Sequence, residues 1–119
     1  MNNFLRNKTK LFAKEIIYLC RELKTQGVEK SLINQLLRCG TSIGANVHEA
    51  QFAQSGKDFI SKLEIALKEC NECEYWLDLI IETNDFNTVK IENDKSLCVE
   101  IRKLLISSVK TLKAQKETY

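Results

Sequence analysis

Five cysteines, a single histidine and a run of mid-chain carboxylates are the side chains in this sequence that could do metal, redox or acid–base chemistry. Cys70 and Cys73 have the C-x-x-C spacing that grips a zinc ion, but a closed tetrahedral site needs a second such pair or nearby histidines. Neither is present. Cys20, Cys39 and Cys98 complete an odd number of thiols. The N-terminus, Met1-Asn2-Asn3-Phe4-Leu5-Arg6-Asn7-Lys8, breaks into charge without the apolar core of an export signal. The expectation is a cytoplasmic protein, where a disulfide framework is not expected. The cysteines therefore read as small buried hydrophobes. His48 has no glutamate three residues before it, which removes the carboxylate-bridged di-iron pattern. One histidine leaves little for proton transfer, and no Gly-rich phosphate loop follows a strand. The sequence predicts no enzyme, no metal and no cofactor.

A different pattern surrounds Arg38-Cys39-Gly40-Thr41-Ser42-Ile43-Gly44-Ala45-Asn46-Val47-His48-Glu49-Ala50. This reads as mid-helix, yet it carries two glycines, each costing about 1 kcal/mol relative to alanine. At helical spacing Ile33, Leu36, Leu37, Gly40, Ile43, Gly44 and Val47 share one face. The glycines then sit inside the apolar stripe, where they admit a second helix. Arg38, Ser42, Ala45, Asn46 and Glu49 lie opposite. They are small or hydrogen-bonding, unlike the long solvating side chains of a free surface.

Those residues need long helices to position them. No proline and only 4 glycines occur in 119 residues, with 44% hydrophobic and 29% charged side chains. The composition predicts one all-α domain with a real core. No apolar run reaches the roughly 18 residues of a membrane span. Periodicity and caps predict helices over about residues 4–24, 31–52, 56–82 and 88–116, the last starting at Thr88 or nearer Asn93. The inner stripe of the first is Leu5, Phe12, Ile16, Leu19, Cys20 and Leu23, with Gly27 as its stop. Ser55 with Asp58 reads as a capping box that opens the third helix. Its core stripe is Phe59, Leu63, Ala66, Cys70, Cys73, Leu77, Ile80 and Ile81. Cys98, Ile101, Leu105, Ser108 and Leu112 point inward from the fourth. Short turns between four long helices predict an antiparallel, up-down-up-down four-helix bundle.

The third helix has apolar and aromatic residues beyond its core stripe, namely Ile65, Trp76 and Leu79 beside Glu72 and Tyr75. A wide core edge capped by the indole explains them, and so does a contact between protomers. Charge is also unevenly spread. Residues 1–30 are +4, residues 31–100 are −6, and residues 101–119 are +4. The first and last helices are neighbours in such a bundle, so Lys10, Lys14, Arg102, Lys103, Lys110 and Lys113 are candidates to meet nucleic acid, and Lys116 belongs to the same basic tail as the last four. Solvation, or the acidic helices of another copy, would account for the same charges.

Two segments resemble a known family. Arg38, Ser42-Ile43, Ala45-Asn46 and Glu49, then Lys57-Asp58-Phe59-Ile60, Leu63 through Glu69, Glu72 and Tyr75-Trp76-Leu77, are similar to the second and third helices of bacterial four-helix-bundle proteins. These are encoded by intervening sequences in large-subunit ribosomal RNA genes. The fourth helix fits more loosely through Leu104-Leu105-Ile106 and Val109 to Lys113. The resemblance implies a ring-like homopentamer, related to the accessory protein of diversity-generating retroelements, a basic pentamer that binds nucleic acid and its reverse transcriptase. This chain departs from that pattern in its net charge of only +2 and its acidic middle.

Together these readings predict a homo-oligomer. Its interface should hold Arg38, Ser42, Asn46 and Glu49 of the second helix with Glu72, Trp76 and Leu79 of the third, and Arg38 should pair with Glu72 or Glu49. The expected activity is non-enzymatic RNA or DNA binding. The alternative is a structural or protein-interaction oligomer without nucleic-acid affinity. A cysteine-dependent metal or redox protein is the third reading.

Overall fold

The turns explain where the helices stop. Gly27 adopts a positive φ of 77°, and beyond it Val28 N–H donates to the Leu23 carbonyl at 3.3 Å, closing the end of the first helix. Ser55 Oγ accepts from Asp58 N–H at 3.1 Å, the first half of the expected capping box, while the Asp58 carboxylate reaches one residue beyond the cap and accepts from Gln54 N–H at 3.2 Å. The computed structural model describes residues 3–118, with side chains from 4 to 115. It contains α1 (Asn3–Thr25), α2 (Lys30–Ala50), α3 (Gly56–Glu82) and α4 (Val89–Thr118). The expected boundaries agree to within two residues. α2 stops at Ala50, so Phe52 lies in the following turn, its ring centroid 5.4 Å from that of His48 in an edge-to-face arrangement.

Each helix touches two neighbours, in the cyclic order α1, α2, α3, α4. Paired residues run in opposite numerical directions along every contact. Gly40 meets Ile16 while Gly44 meets Thr9. Glu49 pairs with Lys62 while Arg38 pairs with Glu69 and Glu72. Lys95, Arg102 and Lys113 of α4 reach Asp78, Glu74 and Glu64 in turn. Neighbouring helices are therefore antiparallel, and the fold is the expected up-down-up-down bundle.

One continuous core fills the interior, led by Phe12, Ile16, Leu36, Ile43, Leu63, Leu77, Ile101 and Leu105. The α2 stripe differs from the expected one. Cys39 is fully buried, while Leu37 is 37% exposed. α2 packs on α1 and α3 at once, so its core direction bisects the two and leaves Leu37 on the α1 flank. Ser108 and Leu112, expected inward, are half-buried. Ile60 and Ile91 join the core instead.

Asp94 was not foreseen in the interior, yet it is only 4% exposed. Lys90 lies 3.4 Å from it and 2.8 Å from Glu15 of α1. Burial raises the Asp94 carboxyl above its ordinary value, against the pull of Lys90. A raised folded-state value means the native chain binds more protons than the unfolded one. Stability from this group is then complete below about pH 4 and declines as pH rises through the raised value. Asp94→Asn should therefore match or exceed the parent's melting temperature at pH 7. Parallel pH–melting curves for the two proteins would refute this account.

Candidate functional site

The thiols come closest to conventional chemistry, and their setting is apolar. All five cysteines are free and buried. Cys39 of α2 donates to Cys73 of α3 across 3.2 Å, and Cys98 of α4 donates to the Cys70 carbonyl at 3.5 Å. Burial first, and Cys39 second, push the Cys20 thiol up to about 11. Such a thiol is neutral and a poor nucleophile. Among the described residues no group of three or more His, Cys, Asp or Glu side chains is placed to hold a metal ion.

The polar flank of α2 meets α3 in a connected cluster. Arg38 Nη2 donates to Glu72 Oε1 at 2.5 Å, and Nη1 donates to Glu69 Oε2 at 3.2 Å. Trp76 Nε1 donates to the same Glu72 oxygen at 3.5 Å, and the Tyr75 ring stands edge-on to the indole at 5.1 Å. The hydrogen bond from Arg38 holds the Glu72 carboxyl below its ordinary value and raises the guanidinium in return. Further along the same strip Lys62 approaches Glu49 at 3.8 Å, and Asn46 Nδ2 donates to the Ser42 carbonyl at 2.8 Å. Leu79, two turns beyond Glu72, lies on the same outer side of α3 and is half-buried.

The structure thus brings the expected interface residues onto one face, and the Arg38–Glu72 pair forms within a single chain. Two members were missed. Glu69 shares the guanidinium and Lys62 answers Glu49. Helical spacing carried the signal for Glu69, which lies three residues before Glu72 on the same flank.

The basic candidates are divided. Arg102 is bound to Glu74 at 2.6 Å and Lys113 to Glu64 at 3.2 Å, both on α3. Lys10 borders the α1–α2 groove, whereas Lys110 and Lys113 border the α3–α4 groove on the opposite side. Lys10, Lys14, Lys103 and Lys110 are exposed and in no ion pair among the described residues. The side chain of Lys116 lies outside the described residues. Elsewhere Lys8 pairs with Glu100 at 2.6 Å. The basic ends of the chain and its acidic middle therefore neutralise each other partly within one molecule.

No helix among the described residues is long and apolar enough to cross a membrane. No curated protein matches the chain. A solved structure does, the crystal structure of a protein of unknown function from the S23 ribosomal protein family of Bacteroides thetaiotaomicron. It is 47% identical, with a TM-score of 0.85, over 89% of this chain and 98% of that one. The family model for the 23S rRNA-intervening sequence protein matches residues 2–107. With that match spanning all of α1, α2 and α3 and most of α4, the chain belongs to the family of 23S rRNA-intervening sequence proteins.

Proposed function

We propose that this protein is a non-catalytic assembly module whose α2–α3 face contacts a second copy of the chain. The observation that carries this reading is the fixed cluster of Arg38, Glu69, Glu72 and Trp76 on an outer face. A solvated helix surface ordinarily bears independent, mobile charges. Here a guanidinium, two carboxylates and an indole are tied together, with Ile65 and Tyr75 exposed beside them. Arg, Trp and Tyr are the side chains that most often anchor protein interfaces. Light scattering at micromolar concentration should give a multiple of the 13.7 kDa chain mass. A mass that stays at one chain across that range overturns the proposal.

Nucleic-acid binding is the second reading. It is favoured by four of the six candidates, Lys10, Lys14, Lys103 and Lys110, which are exposed and in no ion pair among the described residues. Isolated surface lysines attract phosphate without reading sequence, and log K falls by roughly 0.7 per single-strand phosphate contact for each unit of log salt. Repetition around an oligomer would multiply such contacts. With two of six candidates paired to α3, and Lys10 and Lys110 at grooves on opposite sides, assembly is the better supported role.

A further inference from the structure

We propose that the groove between α1 and α2 receives the acidic, aromatic C-terminal half of α3 from a second copy of this chain. The pairing rests on the assembly proposed above and names the surface that its α3 side would meet.

The groove lies near the α1–α2 turn and has a volume of about 520 Å³. Its apolar lining includes Ile17, Val28 and the exposed Leu37, and its cations are Arg21, Lys24 and Lys30. No carboxylate lines it. None of the three cations is in an ion pair among the described residues, and the Arg21 guanidinium sits 5.9 Å from the Tyr18 ring centroid. An apolar trough with uncompensated positive charge calls for an occupant that is both apolar and anionic.

The chain itself carries such a surface. Between residues 69 and 86 there are six acidic side chains and no basic one. Tyr75 is 60% exposed there, next to Trp76 and Leu79. Glu82 and Asp85 are exposed and in no ion pair among the described residues. A tyrosine and a leucine can fill the trough while these carboxylates meet its cations, so shape and charge agree.

Placement within the bundle makes the match usable for assembly. Lys24 stands at the end of α1, Lys30 at the start of α2 and Glu82 at the end of α3. In an antiparallel bundle these three ends coincide. The two surfaces therefore sit at one height on different sides of the molecule. Joining unlike patches in this way is heterologous association, which closes into a ring when the rotation allows. Copies related about an axis along the bundle can repeat the contact without sliding.

Charge exchange tests the pairing. The variants K24E/K30E and E82K/D85K should each fall from the wild-type assembly to the 13.7 kDa chain mass. Mixed in equal amounts, they should associate again. Carbodiimide treatment of wild-type protein, half of it nitrogen-15 labelled, should join Lys24 or Lys30 to Glu82 or Asp85 of another copy. A wild type that is itself monomeric overturns the assembly reading and this one with it. An assembled wild type whose mass survives both reversals, or which yields no such cross-link, overturns the pairing alone. Loss of RNA binding in K24E/K30E with assembly intact would assign the groove to nucleic acid and likewise overturn it.

Discussion

Arg38→Ala should reduce the assembly to single chains and lower its stability by about 3–5 kcal/mol, the usual result of orphaning one side of a buried ion pair. The figure depends on burial by a second copy. Within one chain the Arg38 side chain is 48% exposed, and an exposed pair contributes about 0–1 kcal/mol. The size of the loss therefore reports whether the face is covered. Glu69, at 14% side-chain exposure, is already the more enclosed partner and would suffer most from losing its counter-ion. The acid limb should change too. Arg38 holds Glu72 below its ordinary value, so that contribution is present above about pH 4.5 and is lost as pH falls through the lowered value. Chemical denaturation with parallel light scattering measures both effects. A variant with the parent's mass and a loss under about 1 kcal/mol would mean that water, not protein, covers this face.

Much of the architecture was legible because periodicity and caps act locally. Gly27, Ser55 with Asp58, and the stripe from Phe12 to Leu23 each specify their own segment. The Arg38–Glu72 pairing was legible because antiparallel neighbours place position 38 opposite positions near 70. What escaped depends on how a helix divides its surface between two neighbours. Leu37 and Cys39 are two positions apart, and only the bisector of the α1 and α3 contacts decides that Cys39 goes inside. Asp94 escaped for a related reason. A carboxylate among Ile91, Cys98 and Ile101 looks like a break in the stripe until Lys90 and Glu15 are seen beside it.

The candidate basic surface was harder to read, since summing charge by segment ignores azimuth. Arg102 and Lys113 belong to the α3 flank of α4, where acids wait for them. Lys10 belongs to the α2 flank of α1. A net charge of +4 at each end of the chain does not become one patch when its members point around the bundle.

Gly40→Ala should destabilise the bundle by about 1–2 kcal/mol, although alanine is the better helix former by about 1 kcal/mol. A Cβ at position 40 would stand 2.7 Å from Ile16 Cγ2, closer than such atoms approach in practice, and 3.0 Å from its Cγ1. Ile16 is fully buried and stiff at χ1, so the clash is relieved only by shifting α1 against α2. Overpacking of this kind costs about 1–3 kcal/mol, and a contact this short belongs at the upper end, which exceeds the propensity gain. Gly44→Ala should be milder, because its Cβ would meet the Thr9 carbonyl oxygen at 3.2 Å. Removing the obstacle supplies the control. Ile16→Ala alone leaves a cavity, but combined with Gly40→Ala it should cost less than the two separate losses, with a coupling of about 0.5–3 kcal/mol. Urea unfolding at one fixed protein concentration measures all four proteins, since any assembly makes the midpoint depend on concentration. A Gly40→Ala chain about 1 kcal/mol more stable than its parent would show that helix propensity, not the close crossing of α1 and α2, governs this position.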